Sequence, residues 1–98
     1  MILKKHQVIA VLRECLPELK DRFGVARLAL FGSTVREERR ADSDIDVLVS
    51  FDGPATSAQY FGLQFFLEDT LNQSIDLVTD KALRPELKPY VERECVYV

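Results

Sequence analysis

Three short apolar runs, 25–31, 45–51 and 74–79, punctuate the chain, and the stretches before the first and the third carry apolar residues that return every three or four positions. A chain that switches period in this way alternates helices with strands, and each strand must find a neighbour to pair with. In the first helical stretch Val8, Val11, Leu12, Cys15, Leu16, Leu19 and Phe23 share one side. Pro17 is expected to kink or restart that helix, because proline removes a hydrogen bond and crowds the preceding turn. Gly24 ends it, where a left-handed cap costs least.

The first strand, 25–31, stops at Gly32, and a short helix over 34–40 follows with Ser33 as N-cap. The second strand, 45–51, is closed by the turn Asp52-Gly53-Pro54. A helix over 57–71 carries Tyr60, Leu63, Leu67 and Leu71 on one side, and leads to the third strand, 74–79. The tail over 86–95 reads as a helix with Pro85 or Pro89 in its first turn. The fold class expected is α/β (α+β): a small mixed sheet of three strands, or four if the tail pairs, with helices packed against it.

The chain has 98 residues, which suits one domain spanning 1–98 and leaves no room for a separate domain to hold an acceptor. Whatever it modifies is therefore presented by another molecule. No apolar stretch reaches the roughly 20 residues of a membrane span, and the start lacks the apolar core of a secretion signal, so a cytoplasmic location is expected. Net charge is −3, and the second half carries eight acidic side chains against four basic ones. Long nucleic acid is a poor partner for such a surface, since its affinity comes from many Lys and Arg on phosphates. A single nucleotide remains compatible if a cation offsets the carboxylates. Cys15 and Cys95 lack metal or disulfide spacing and read as small core residues.

Asp44 and Asp46 stand two apart at the start of the second strand, so both side chains leave on the same face, with Cα atoms roughly 6.6 Å apart. Two carboxylates near that distance repel by on the order of 3 kcal/mol at an effective dielectric of about 20. The neighbouring Ile45, Val47, Leu48 and Val49 are apolar and offer no relief, whereas a magnesium ion takes such oxygen ligands and shares its other positions with water and phosphate. Asp76 lies inside the apolar Ile75-Asp76-Leu77-Val78, where an unpaired buried carboxylate would be costly. If its strand adjoins the second, Asp76 completes a triad able to hold two ions, and it is also a candidate base. Gly32 would let a phosphate approach the backbone, and Ser33 adds a hydroxyl and an amide at a helix start. Arg36, one turn on, reaches a phosphate or faces water. Arg39 and Arg40 read as a solvated face with Glu37 and Glu38.

The spacing of Gly32-Ser33, ten intervening residues, Asp44-Ile45-Asp46 and a later Asp76 within a strand resembles the signature of the DNA polymerase beta-like nucleotidyltransferases. The whole chain, to its ending "VERECVYV", is similar to the minimal nucleotidyltransferase (MNT) family. The resemblance implies the nucleotidyltransferase fold and metal-dependent transfer of AMP from ATP, with magnesium, two ions in all, to a hydroxyl. It further implies an antitoxin whose partner is a HEPN-type toxin, with a tyrosine of that toxin as acceptor, in a homo- or hetero-oligomer. Carried over by residue, Asp44, Asp46 and Asp76 are the catalytic metal ligands, and Gly32, Ser33 and Arg36 bind the nucleotide. The family's Ala-Arg-Gly is replaced by Val35-Arg36-Glu37, and Asn72-Gln73-Ser74 stands where a basic residue is usual.

Other readings of the same residues do less well. A calcium loop beginning at Asp42 fails because its sixth position is Val47 and its twelfth Gly53. Ser33 lacks a nucleophile elbow, and His6 reads as a surface residue. The helix over 57–71 holds more aromatics than one face can bury, so Phe65 or Phe66 must lie outward, as must any docking surface built from them. The alternative to an enzyme is a non-catalytic antitoxin that neutralises its partner by contact. An aminoglycoside-type transferase is disfavoured, because no drug-binding domain fits in this length.

Overall fold

The computed structural model describes residues 3–36 and 44–98, with the Ser33 side chain set aside. In chain order the elements are α1 (Lys5–Phe23), β1 (Val25–Leu30), α2 (Gly32–Arg36), β2 (Ile45–Phe51), α3 (Ser57–Leu71), β3 (Ile75–Thr79), a 3-10 turn (Asp80–Ala82), α4 (Lys88–Glu94) and β4 (Val96–Tyr97).

Local chemistry sets most of these bounds. At the start of α3 the Thr56 hydroxyl accepts from the Gln59 N–H at 3.1 Å while the Gln59 side chain accepts from the Thr56 N–H at 2.8 Å. This reciprocal box satisfies two amides that a helix start leaves without partners. Asn72 closes α3 at φ 54°. Gly24 caps α1 at φ 69°, its N–H donating to the Leu19 carbonyl. Pro17 does not restart α1, which runs on as one helix. Leu12 before it and Leu19 after it are both fully buried in the same core, and that shared burial outweighs the hydrogen bond lost at the proline. The short helix α2 begins at Gly32, two residues earlier than expected, so Ser33 lies inside its first turn rather than capping it. Its expected end at residue 40, like the Glu37–Arg40 charge cluster and Asp42, lies outside the described residues.

The sheet has four strands in the order β3-β2-β1-β4. Its centre is antiparallel, β1 against β2, whereas β3 joins β2 in parallel. The tail pairs after all: β4 runs antiparallel to β1, with Leu30 opposite Val96 and Ala29 opposite Tyr97. Alternation sorts each strand. Leu28 and Leu30, Ile45, Val47 and Val49, and Ile75 and Leu77 meet the buried sides of α1 and α3 in one core, with Leu63, Leu67 and Leu71 supplied by α3. The intervening residues, Asp46, Leu48 and Ser50 on β2 and Asp76 and Val78 on β3, belong to the reverse face. Cys15 and Cys95 are half-buried free thiols; Cys15 packs against the core, as expected, whereas Cys95 does not join it, and burial, with Glu18 and Glu14 nearby, pushes the Cys15 thiol up. No described helix is long and apolar enough to cross a membrane.

Candidate functional site

The strand directions decide which chemical groups meet. β2 and β3 are parallel neighbours, so their amino ends lie together, and β1, antiparallel to β2, delivers its carboxyl end to the same rim. Asp44 immediately precedes β2, Asp46 is its second residue, and Asp76 is the second residue of β3. Asp46 and Asp76 are direct register partners. The Phe31 N–H donates to the Asp46 carbonyl at 3.2 Å, which brings the Gly32 corner alongside.

Gly32 sits at φ 63°, a left-handed conformation that penalises a side chain. A Cβ built there would stand 2.7 Å from Asp46 Oδ2 and 3.3 Å from its Cγ. The corner is therefore glycine for two reasons, its backbone turn and the carboxylate lodged against it. Thr34 locks the same corner from the other side. It is the one buried polar residue among those described, 2% exposed, and its hydroxyl accepts from the Asp46 N–H at 2.9 Å. Sequence reasoning missed Thr34, because nothing local marks a threonine whose partner lies twelve residues away.

The carboxylates interact. Partial desolvation raises the pKa of Asp76, and the charges of Asp46 and Asp44 and a hydrogen bond with Asp46 push it further the same way. Asp76 is exposed on its strand, so the expectation that it is buried within an apolar run is corrected. Strand alternation turns Ile75 and Leu77 inward and sends the acid between them to the rim. Among the described residues no three His, Cys, Asp or Glu side chains form a ready-made metal cage. Magnesium seldom asks for one: it is held by one or two carboxylates together with water and substrate phosphates, and the oxygen-only donors of this rim suit it. Arg36 closes α2, exposed, four residues and thus about one turn from Gly32, and its Nη1 donates to Glu94 Oε2 at 3.2 Å. The Ser33 side chain lies outside the described residues.

A family model described as nucleotidyltransferase domain matches residues 12–98. The chain belongs to the nucleotidyltransferase family. It is 36% identical over 97 residues to the protein adenylyltransferase MntA of Thermococcus cleftensis, an alignment covering 99% of this chain and 98% of that one. A solved structure provisionally described as a minimal nucleotidyltransferase superposes with a TM-score of 0.82 at 35% identity, covering 96% of this chain and 95% of the other. The same fold recurs, at a TM-score of 0.58 and 22% identity, in a complex described as a tri-AMPylated Shewanella oneidensis HEPN toxin with an MNT antitoxin, covering 95% of this chain and 66% of that one. The four-stranded mixed sheet with its helices is thus the minimal nucleotidyltransferase fold, and the chain is a nucleotidyltransferase.

Proposed function

We propose that this nucleotidyltransferase moves AMP from ATP to a hydroxyl, a tyrosine, of a HEPN-type toxin and thereby acts as its antitoxin. The observation that carries the reading is the register of Asp46 opposite Asp76 at the rim where β1 turns at Gly32. Carboxylates crowd there beside the backbone of the Gly32 corner. Asp44, Asp46 and Asp76 would hold magnesium, two ions in all, which when bound supplies charge neutralisation at the phosphates and a lowered pKa for an attacking oxygen.

The chain's own residues do the rest. The amides of Gly32 and Ser33 lie in the first turn of α2, where helical hydrogen bonds are not yet available, and are the donors offered to a phosphate at this corner. Thr34 keeps the Asp46 backbone against this corner, so carboxylate and phosphate groove move as one unit. Arg36, on the same side of α2 as Gly32, meets the distal phosphates. Asp76, level with Asp46 at the rim, is the candidate base that takes the hydroxyl proton as the new P–O bond forms, the bond to pyrophosphate breaks and pyrophosphate leaves. The acceptor comes from the partner. The relatives described as an adenylyltransferase and as a complex with an AMPylated toxin support this choice of donor and acceptor.

A second reading, neutralisation by contact alone, draws on Phe61 and Phe65, both exposed on α3. One experiment separates them. The protein is incubated with ATP, magnesium and the HEPN-type protein encoded beside it, and the products are weighed intact. Addition of one or more adenylates to the partner, lost in the Asp44→Asn, Asp46→Asn double variant together with neutralisation, is the expected result. Neutralisation that survives the double change would establish the contact reading instead.

A further inference from the structure

We infer that Glu94 is a positioning residue for Arg36, holding its guanidinium beside the Gly32 corner so that it meets the phosphates of a nucleoside triphosphate. This rests on the reading of that corner as the triphosphate site, and it extends that site to a residue at the far end of the chain.

The contact joins residues 58 positions apart, Arg36 Nη1 to Glu94 Oε2 at 3.2 Å. Its location in the fold is not incidental. Arg36 closes α2, which starts two residues after Leu30; Glu94 closes α4 two residues before Val96; and Leu30 and Val96 are register partners in the sheet. Both ends of the ion pair are thus tethered to one point at the end of β1. The hydrogen bond from the Val98 N–H to the Leu28 carbonyl at 3.0 Å fastens the same tail further along.

Glu94 is poorly placed for α4 itself. A carboxylate on the last residue of a helix meets the negative end of the helix dipole, so α4 gains nothing from it. The neighbouring charges have other engagements within α4: Glu92 pairs with Lys88 at 4.0 Å and the Arg93 guanidinium lies 5.7 Å from the Tyr90 ring. Glu94 instead reaches across to α2. Nor does the pair explain itself as a stabilising contact, because its two side chains are 46% and 53% exposed and water screens them. What it does supply is aim. An arginine side chain has many rotamers, a carboxylate on its planar fork selects among them, and that fork has the geometry to meet phosphate oxygens. The cost of orienting the arginine is met before the nucleotide arrives.

The test measures binding of magnesium–ATP and of adenosine by calorimetry, together with the kcat and KM of AMP transfer, for the wild type and for Glu94→Ala and Glu94→Gln. For Glu94→Ala the expected result is a Kd and KM for ATP raised roughly two- to fivefold, the range of an exposed ion pair, with kcat within about twofold. Adenosine, which has no phosphate for Arg36 to meet, binds as before. Glu94→Gln, which keeps an acceptor oxygen in the same shape, recovers part of the loss and stands in should the alanine variant fail to fold. ATP affinity unchanged in both variants overturns the inference. Tighter ATP binding in Glu94→Ala also overturns it, since the pair is then a brake. So does an equal loss for adenosine, which would mark a distortion of the whole site. A wild type that binds no ATP fails the triphosphate reading itself, and is recognised before any variant is made.

Discussion

The parallel strands β2 and β3 end in two very different places. At their amino ends Asp44, Asp46 and Asp76 crowd one another beside the Gly32 corner. At their carboxyl ends Phe51, Pro54, Tyr60, Phe61, Thr79 and Lys81 line an open, mainly apolar hollow of about 490 Å³. The two lie roughly 10 Å or more apart along the strands. By size and apolar lining the second is the more obvious ligand pocket. On the proposed reading the chemistry of transfer falls to the first, because phosphoryl chemistry needs charge and backbone amides more than an enclosing wall. Carboxylates that repel each other without a cation are a cost that the fold bears at that end.

Breaking each end in turn sharpens the contrast. The Asp44→Asn, Asp46→Asn variant is expected to lose at least about 100-fold in AMP transfer, the scale of several kcal/mol of lost electrostatic stabilisation. Its melting temperature does not fall, because two mutually repelling charges are gone; a calorimetric scan beside the transfer assay checks both. Phe51→Ala, at the hollow, does the reverse. Phe51 is half-buried against the core, so the expected cost is about 2 kcal/mol of stability, below the range of fully buried phenylalanines, with AMP transfer within a factor of two.

Gly32→Ala falls between these. A left-handed alanine costs about 1–2 kcal/mol, and its Cβ displaces the Asp46 carboxylate lodged 2.7 Å away. Denaturant melts are expected to show that modest loss while AMP transfer drops by more than the same free energy would account for. A transfer loss no larger than the stability loss would mean that Asp46 is not held by the corner. The smallest effect is at Asp76. Its folded pKa is raised, so wild-type stability is greatest below the ordinary carboxylate value near 4 and declines as pH rises through the raised one. Asp76→Asn lacks that decline and melts higher at neutral pH, by less than about 1 kcal/mol because the side chain is exposed and screened. The two proteins converge as pH falls below the ordinary carboxylate range, which thermal melts across pH 3 to 7 would show.

Much of the fold was legible locally. The span 57–71 is α3 to the residue, because the Thr56–Gln59 box and the left-handed Asn72 are written in adjacent residues. The span 45–51 is β2, set off by the turn after Phe51. Phe65 lies outward, as the surplus of aromatics on one helix required. Pro17 misled because its effect on α1 depends on what Leu12 and Leu19 pack against, and Asp76 misled because run composition does not show which face a strand turns to solvent. Thr34 and Glu94 carried no signal, since each acts on a residue remote in sequence.

The amino acids in order were enough to specify which stretches form helices and which form strands, and which side chains carry oxygen for a cation or room for a phosphate, because those properties arise within a few bonds of each residue. Only the folded chain decided that β3 lies parallel to β2 with Asp76 level with Asp46, that Thr34 ties the corner to β2, and that the tail returns to set Glu94 on Arg36. Pairing and register depend on backbone hydrogen bonds and core contacts between distant segments, and these are selected by the energy of the whole assembly.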